Sequence, residues 1–383
     1  MYFQPHFDFR DVLQAPARAL SAKQILVMTL SLCAGLVVFD IFTYLAYIVD
    51  GQPFGVVFGA FGLLPIGRPA VNADAAWVVF WVGVALTVLV VMMGLTAVSV
   101  INVELVRGNR FMSWTKAARF ALARFKQLFL AELSIILFVV FIVGLFALLG
   151  LVSRIPYIGE WIYTVLFVIP NFIIALFAVF IIFVFILTFL LMPAVAAAER
   201  HGEVFGVILE TFSTIIRQPF RWLGYTVYSL VAAKVCSFVY AYFAFRAVQF
   251  MTGASMLGGG NALNRLVKSG LSHLPASSEF AREIFNIFPG IDFGFSLAYW
   301  SYPRTSDPAG HLMSVMIFLV FASIIGYALA IVAAAQAHGF VVIRRQKDDY
   351  NVADEEPMFF TDEHVNPEIK VAGDEGQESS EAT

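Results

Sequence analysis

The sequence predicts an all-α integral membrane protein with six transmembrane helices, arranged as three hairpins that are each preceded by a cytoplasmic interfacial amphipathic helix. Three observations indicate this fold class. Of the 383 residues, 60% are hydrophobic and only 13% are charged, with a mean hydropathy of +0.83, far more apolar than a soluble domain. Six apolar stretches are long enough to cross a hydrocarbon core of about 30 Å. Amphipathic stretches rich in Arg and Lys precede the first, third and fifth of them.

The six predicted spans follow one another along most of the chain. They comprise residues 25–48, 75–101, 127–152, 161–194, 222–248 and 311–343. The fourth is longer than one crossing needs and contains Pro170 and Asn171, so we expect a kink or a short re-entrant start there. Cys33 and Cys236 lie inside spans, a placement that favours packing over a disulfide or a metal site.

Three connecting segments have the pattern of interfacial helices. Residues 1–23 predict the first, interrupted by Pro16. Residues 102–126 predict the second, in which six basic residues stand against the single acid Glu104 and an apolar side is formed by Phe111, Trp114, Ala118, Leu122 and Phe125. The third begins after Gly202, with an apolar face of Val204, Val207, Ile208, Phe212, Ile215 and Ile216. Helices of this kind lie in the membrane interface instead of crossing it.

The distribution of basic residues predicts the topology. Arg and Lys are concentrated in the N-terminal segment, in the connections at 102–126 and 199–221, and at 344–347, so these segments and both termini are expected to be cytoplasmic. The loop at 249–310 is then extracytoplasmic, and a bacterial inner membrane is the expected location. Eight basic side chains are expected to contact lipid headgroups or a protein partner: Arg107, Arg110, Lys116, Arg119, Arg124, Lys126, Arg217 and Arg221.

The chain divides into a membrane domain, residues 1–347, and an acidic tail, residues 348–383, which has no hydrophobic period and is expected to be disordered. Three parallel repeats are possible within the membrane domain, at 5–104, 105–202 and 203–344. The alternative is that any six-span protein with basic cytoplasmic linkers shows the same succession of linkers and spans. The tail contains the apolar island Pro357–Phe360, which is either a short docking motif or a chance cluster in a solvated segment.

A family resemblance is carried by Pro193–Trp222, which reads PAVAAAERHGEVFGVILETFSTIIRQPFRW. A span ends in Pro, a run of small residues and Glu-x-x-Gly follow, and an amphipathic helix enters the next span. This pattern resembles a group of bacterial six-span proteins that are similar to the membrane domain accompanying some glycerophosphodiester phosphodiesterases. The resemblance covers most of the membrane region and implies architecture only, because the enzymatic part of that family is a separate soluble barrel with no counterpart here.

Few ionisable residues lie deep inside the predicted spans. At 1.5 Å per residue, Asp40 lies roughly 22 Å and Lys234 roughly 18 Å from the cytoplasmic end, close enough in depth to pair if their spans are neighbours. Three interpretations are open: a structural ion pair that fixes helix packing, a site for an ion, a proton or a lipid headgroup, or two unpaired residues that face a wet cavity. Glu132 is expected to reach the polar layer, and His201 and His338 are expected to be solvated caps beside glycines.

No catalytic motif is recognisable, since a Walker A loop, a nucleophile elbow and a zinc helix are all missing from the sequence. Polar residues are too sparse to assemble an acid, a base and a nucleophile, so we expect neither an enzyme nor a cofactor. The leading hypothesis is a non-catalytic scaffold or accessory subunit of a membrane complex, with lipid and protein partners and no nucleic acid. The alternative is a transporter or permease component for a lipid or small solute, with Asp40 and Lys234 in its path.

Overall fold

The computed structural model describes residues 6–61, 65, 69–200, 203–273 and 308–358. Within these ranges the regular structure is helical, without strands. The helices are α1 (Phe9–Leu13), α2 (Ala15–Ala19), α3 (Ala22–Val49), α4 (Phe54–Phe61), α5 (Asp74–Val106), α6 (Trp114–Ala123), α7 (Phe125–Leu151), α8 (Gly159–Ile162), α9 (Val168–Ala198), α10 (Val204–Arg217), α11 (Pro219–His273) and α12 (Pro308–Asp348). Six segments are long and apolar enough to cross a membrane, which confirms a multi-pass helical fold.

Four of the long helices form a compact bundle. Helix α3 packs along α5, α11 packs along α12, and α12 also contacts α3 and α5. Glycines allow the closest approaches: a Cβ at Gly94 would lie 2.4 Å from Ser31 Oγ, and one at Gly326 would lie 2.6 Å from Thr29 Oγ1. Small residues at such crossings bring backbones together and let van der Waals packing hold membrane helices in contact.

The remaining long helices, α7 and α9, contact each other and meet the bundle only near one end. The buried residues of α7 all lie between Gln127 and Ile135, and the longest buried run of α9 is Leu191–Ala198. Beyond these contacts both helices expose apolar side chains on nearly every side. The end of the molecule where all six long helices are joined is called the basal end below, and the opposite end is the distal end.

The main hydrophobic core lies at the basal end. It brings together Val12 of α1, the C-terminal half of α5, the end of α9, the C-terminal half of α12, and Val352 beyond α12. At 1.5 Å per residue α5 is about 50 Å long and α12 about 60 Å, which exceeds a hydrocarbon core of about 30 Å. These two helices therefore extend beyond the membrane, and their extensions build the basal core.

Three segments differ from the sequence-based expectation in detail. The N-terminal segment divides into two short helices at Gln14, where Pro16 begins a new first turn. In the fourth span a π-helical turn at Tyr163–Phe167 precedes α9, so Pro170 falls in the first turn of α9, where its missing N–H costs little. Residues 249–273, expected to be loop, are helical apart from a break at Gly260, which has φ 52°. The rest of the expected loop, 274–307, lies outside the described residues.

The first part of the acidic tail packs against the bundle. A 3₁₀ turn forms at Val352–Asp354, and the Val352 side chain is fully buried in the basal core. Met358 packs partly buried against the same core. We expected disorder from residue 348 onward because the composition is polar, but a few apolar residues and one glutamate are enough to attach residues 349–358. Residues 359–383 lie outside the described residues.

Candidate functional site

A cluster of charged side chains, buried except for Arg200 at 42% exposed, lies where α5, α9 and the tail meet. We call Glu104, Arg107, Arg200 and Glu355 the charged junction. Glu104 and Arg107 stand three residues apart at the end of α5, and Arg107 Nη1 donates to Glu104 Oε1 at 3.2 Å. Both side chains are 0% exposed. Arg107 Nη2 also donates to the carbonyl of Ala198 at 2.9 Å and so joins the end of α9 to α5.

Glu355 of the tail completes the charged junction. Its Oε2 accepts from Arg107 Nη2 and, at 3.0 Å, from Arg200 Nε, while its Oε1 accepts from the Tyr350 hydroxyl at 2.6 Å. Burial alone would raise the pKa of Glu355, but the hydrogen bond from Tyr350 and the nearby Arg107 and Arg200 outweigh it and hold that pKa below its ordinary value. The carboxylate is therefore ionised at neutral pH, as this set of donors requires.

Glu104 holds the tail backbone as well. Its Oε1 accepts the backbone N–H of Met358 at 3.2 Å, and its Oε2 accepts Asn109 Nδ2 at 3.2 Å. Arg200 adds a hydrogen bond to the carbonyl of Glu356. The guanidinium and carboxylate groups of this cluster use most of their hydrogen-bonding capacity on one another and on chain ends. Such an arrangement attaches segments to each other and leaves few groups to act on a substrate.

A second buried cluster fixes the N-terminal segment to α12. Arg18 Nη1 lies 2.6 Å from Nε2 of His338, a side chain that is only 2% exposed. Burial lowers the pKa of Arg18 to about 10, and Asp11, 3.9 Å away, acts in the opposite direction. His338 was expected to be a solvated cap; it is buried because α2 packs over the basal part of α12. His201 lies outside the described residues.

The structure does not bring Asp40 and Lys234 together. Asp40 lies on α3 and Lys234 on α11, and helix α12 packs against both of these helices. Asp40 is half-buried, and its Oδ1 has no hydrogen-bond partner among the described residues. The Lys234 side chain is exposed on the outside of α11. Among the described residues, no ion pair between Asp40 and Lys234 is found, and α3 and α11 each pack mainly against other helices.

The eight basic residues expected at the interface fall into different environments. The prediction for Arg107 differs from the structure: its side chain is buried in the charged junction, where it forms ion pairs with Glu104 and Glu355. Arg124 is half-buried and donates to the carbonyls of Glu199 and Arg200, at 2.6 and 2.8 Å, beyond the end of α9. The other six are exposed or half-buried on the basal surface: Arg110, Lys116, Arg119, Lys126, Arg217 and Arg221.

Glu132 takes a position that the sequence did not suggest. It was expected to reach the polar layer, but it is only 6% exposed and lines a cleft of about 890 Å³ between α5 and α7. The other side chains that line the cleft are aliphatic or aromatic, among them Trp77, Trp81 and Phe129. A carboxylate in such surroundings is costly, and a costly group in a cavity is a candidate for binding.

Part of the charged junction could be predicted from the sequence and part of it could not. The spacing of Glu104 and Arg107, three residues apart, was a readable signal for a helix-surface pair. The further partners of Arg107, Ala198 and Glu355, lie 91 and 248 positions away, so no local pattern could indicate the charged junction.

Among the described residues no group of three His, Cys, Asp or Glu side chains is placed to hold a metal ion. Comparisons with protein-family models, with curated proteins and with solved structures find no match to this chain.

Proposed function

We propose that this protein is a non-catalytic scaffold or accessory subunit of a membrane complex, and that the hairpin formed by α7 and α9 binds a partner within the membrane. The observation that carries the proposal is the isolation of this hairpin. Its distal two thirds contact little else in the described chain, and apolar side chains such as Phe141, at 60% exposed, and Phe172, at 68%, surround it.

The glycines of the hairpin support a protein partner over lipid alone. In the four-helix bundle, Gly35, Gly94 and Gly326 are each covered by a neighbouring helix. In α7, by contrast, nothing lies within 4 Å of a Cβ built at Gly144 or Gly150. Because small residues serve close helix approach in membranes, these two positions are suited to a contact that the single chain does not make.

The short helices support the proposed topology. Helix α6 turns Ala117 and Ala121 toward the bundle and leaves Trp114 and Leu122 exposed, an arrangement suited to an interfacial helix with its aromatic and aliphatic side chains in lipid. The Arg and Lys residues of the basal end make it the cytoplasmic side by the positive-inside rule, with both termini there. We propose a bacterial inner membrane as its location and three parallel hairpin repeats as the organisation of the chain.

Site-specific photo-crosslinking in native membranes tests the proposal. A photoreactive amino acid at Phe141 on α7 is compared with one at Ile41 on α3, whose side chain is similarly exposed at 53%. We expect a single discrete crosslinked protein from position 141 and none from position 41. Mass spectrometry then identifies the partner, and a product of twice the chain mass of 42.4 kDa would indicate a scaffold assembled from copies of this chain. Crosslinks to lipid alone at position 141, or equal protein crosslinks at both positions, contradict the proposal.

A further inference from the structure

The cleft between α5 and α7 differs from the rest of the lipid-facing surface in one respect: it contains a buried carboxylate. Glu132 is 94% removed from solvent, as its 6% exposure indicates, and no hydrogen bond or ion pair to it is found among the described residues. The remaining lining is apolar, from Trp77 and Trp81 on α5 to Ile136 on α7 and Phe189 on α9.

The dimensions of the cleft suit a small amphiphile. Its volume of about 890 Å³ lies within the range of roughly 300–1,000 Å³ that is typical of small-molecule sites. The lining residues of α5 extend from Trp77 to Leu89, a rise of about 18 Å along the helix at 1.5 Å per residue. An elongated apolar chain lying along α5 would therefore contact side chains over most of its length.

The chemistry of the carboxylate selects the head group. An ionised carboxylate surrounded by apolar side chains is stabilised only by a cation or by several hydrogen-bond donors. A primary ammonium supplies both, with one positive charge and three N–H donors. A phosphate or sulfate in direct contact with the carboxylate would be repelled, so a lipid that carries both groups must place its ammonium, and not its phosphate, beside Glu132.

We propose that this cleft binds an amphiphile with a single long apolar chain or lipid tail and a primary amine, whose ammonium pairs with Glu132. The amine comes either from an aminolipid of the bilayer or from a free long-chain amine. The proposal does not rest on the proposed function, since the cleft is formed by α5, α7 and α9 of one chain and does not include Phe141 or the glycines of α7.

The test measures binding to the purified full-length chain by native mass spectrometry. The probes are phosphatidylethanolamine, phosphatidylcholine with the same acyl chains, and dodecylamine. We expect the primary amines to be retained about tenfold more strongly than the choline lipid, equivalent to about 1.4 kcal/mol. Retention of phosphatidylethanolamine identifies a bilayer lipid as the source, and retention of dodecylamine alone identifies a free amine.

Two variants locate the binding and one serves as control. Glu132→Gln removes the charge while keeping the shape, and since it also removes a buried carboxylate it is expected to fold. Ala85→Phe fills the cleft without changing any charge. Both should abolish the tenfold preference, whereas Glu160→Gln, an exposed acid on α8 outside the cleft, should keep it. Equal retention of the three probes, or an unchanged preference in either cleft variant, overturns the proposal.

Discussion

Replacing Glu355 with alanine should release the tail from the basal end. The side chain is only 10% exposed and accepts hydrogen bonds from Arg107, Arg200 and Tyr350. Breaking a buried ion pair typically costs about 3–5 kcal/mol, because one charge is left without its partner. Here Arg107 keeps Glu104 at 3.2 Å and the carbonyl of Ala198 at 2.9 Å, so its charge remains compensated. We therefore expect a loss at or below the lower end of that range, about 2–3 kcal/mol.

Hydrogen exchange measures this loss directly. A change of about 2–3 kcal/mol corresponds to a shift of roughly 30- to 150-fold in the equilibrium between attached and released tail. The backbone N–H of Met358 donates to Glu104 of α5 and is bonded in this way only when the segment is attached. The N–H groups of Ala353 and Glu355 donate within the tail, in the turn that Val352 packs against the basal core, so their protection reports on that turn. Protection of peptides covering 350–358, and of the Met358 N–H above all, should fall by that factor. The basal ends of α5 and α12 should keep their protection, which distinguishes tail release from unfolding.

The neighbouring glutamate provides a matched control. Glu356 is exposed, and its backbone carbonyl accepts the hydrogen bond from Arg200. An alanine at this position retains that carbonyl. Glu356→Ala should therefore leave exchange of 350–358 within about twofold of the unchanged chain, a difference of about 0.4 kcal/mol. Unaltered protection in Glu355→Ala, or equal losses in both variants, would show that Val352 and Met358 attach the tail without help from the charged junction.

Two further predictions follow from the same contacts and from the bundle. Attachment of the tail depends on pH: since the pKa of Glu355 is lowered below 4.5, its contribution is complete above pH 4.5 and is lost as pH falls through the lowered value, a transition absent in Glu355→Gln. Pulse-labelled exchange of 350–358 across acid pH, corrected for intrinsic rates, measures it. Gly326→Ala should destabilise the bundle by about 1–3 kcal/mol, because the added Cβ meets Thr29 Oγ1 at 2.6 Å, with the Thr29 backbone N close behind at 3.1 Å. Thermal unfolding in detergent compares it with Gly224→Ala, where nothing lies within 4 Å and no loss is expected; equal midpoints contradict the packing argument.

The spans could be predicted from the sequence because membrane crossing depends on local composition. Twenty consecutive apolar residues suffice to identify a helix such as α3, whatever it packs against. Which helices pack against one another is not determined by local sequence. Asp40 and Lys234 matched in depth, yet helix depth says nothing about which helices touch, and α12 turned out to be the common neighbour of α3 and α11.

The candidate site was less accessible to sequence reasoning than the fold. Arg107 resembled the other basic residues of a cytoplasmic linker, and its ion pair with Glu355 involves a tail whose composition indicates disorder. Glu132, one or two turns inside its span, was interpreted from depth alone. Its partnerless position results from the divergence of α7 from α5, which is a tertiary property with no signature in the sequence of either helix.

Helix α9 is attached to the rest of the molecule mainly at its basal end. Helix α9 is joined to α5 through Arg107 and the carbonyl of Ala198, and its distal half has few contacts to resist movement. With 31 residues it is about 45 Å long, so a tilt of about 5° at the basal end would move the distal end by about 4 Å. The position of the distal end of the hairpin is therefore sensitive to small displacements at the place where α9 meets α5, at the opposite end of the helix.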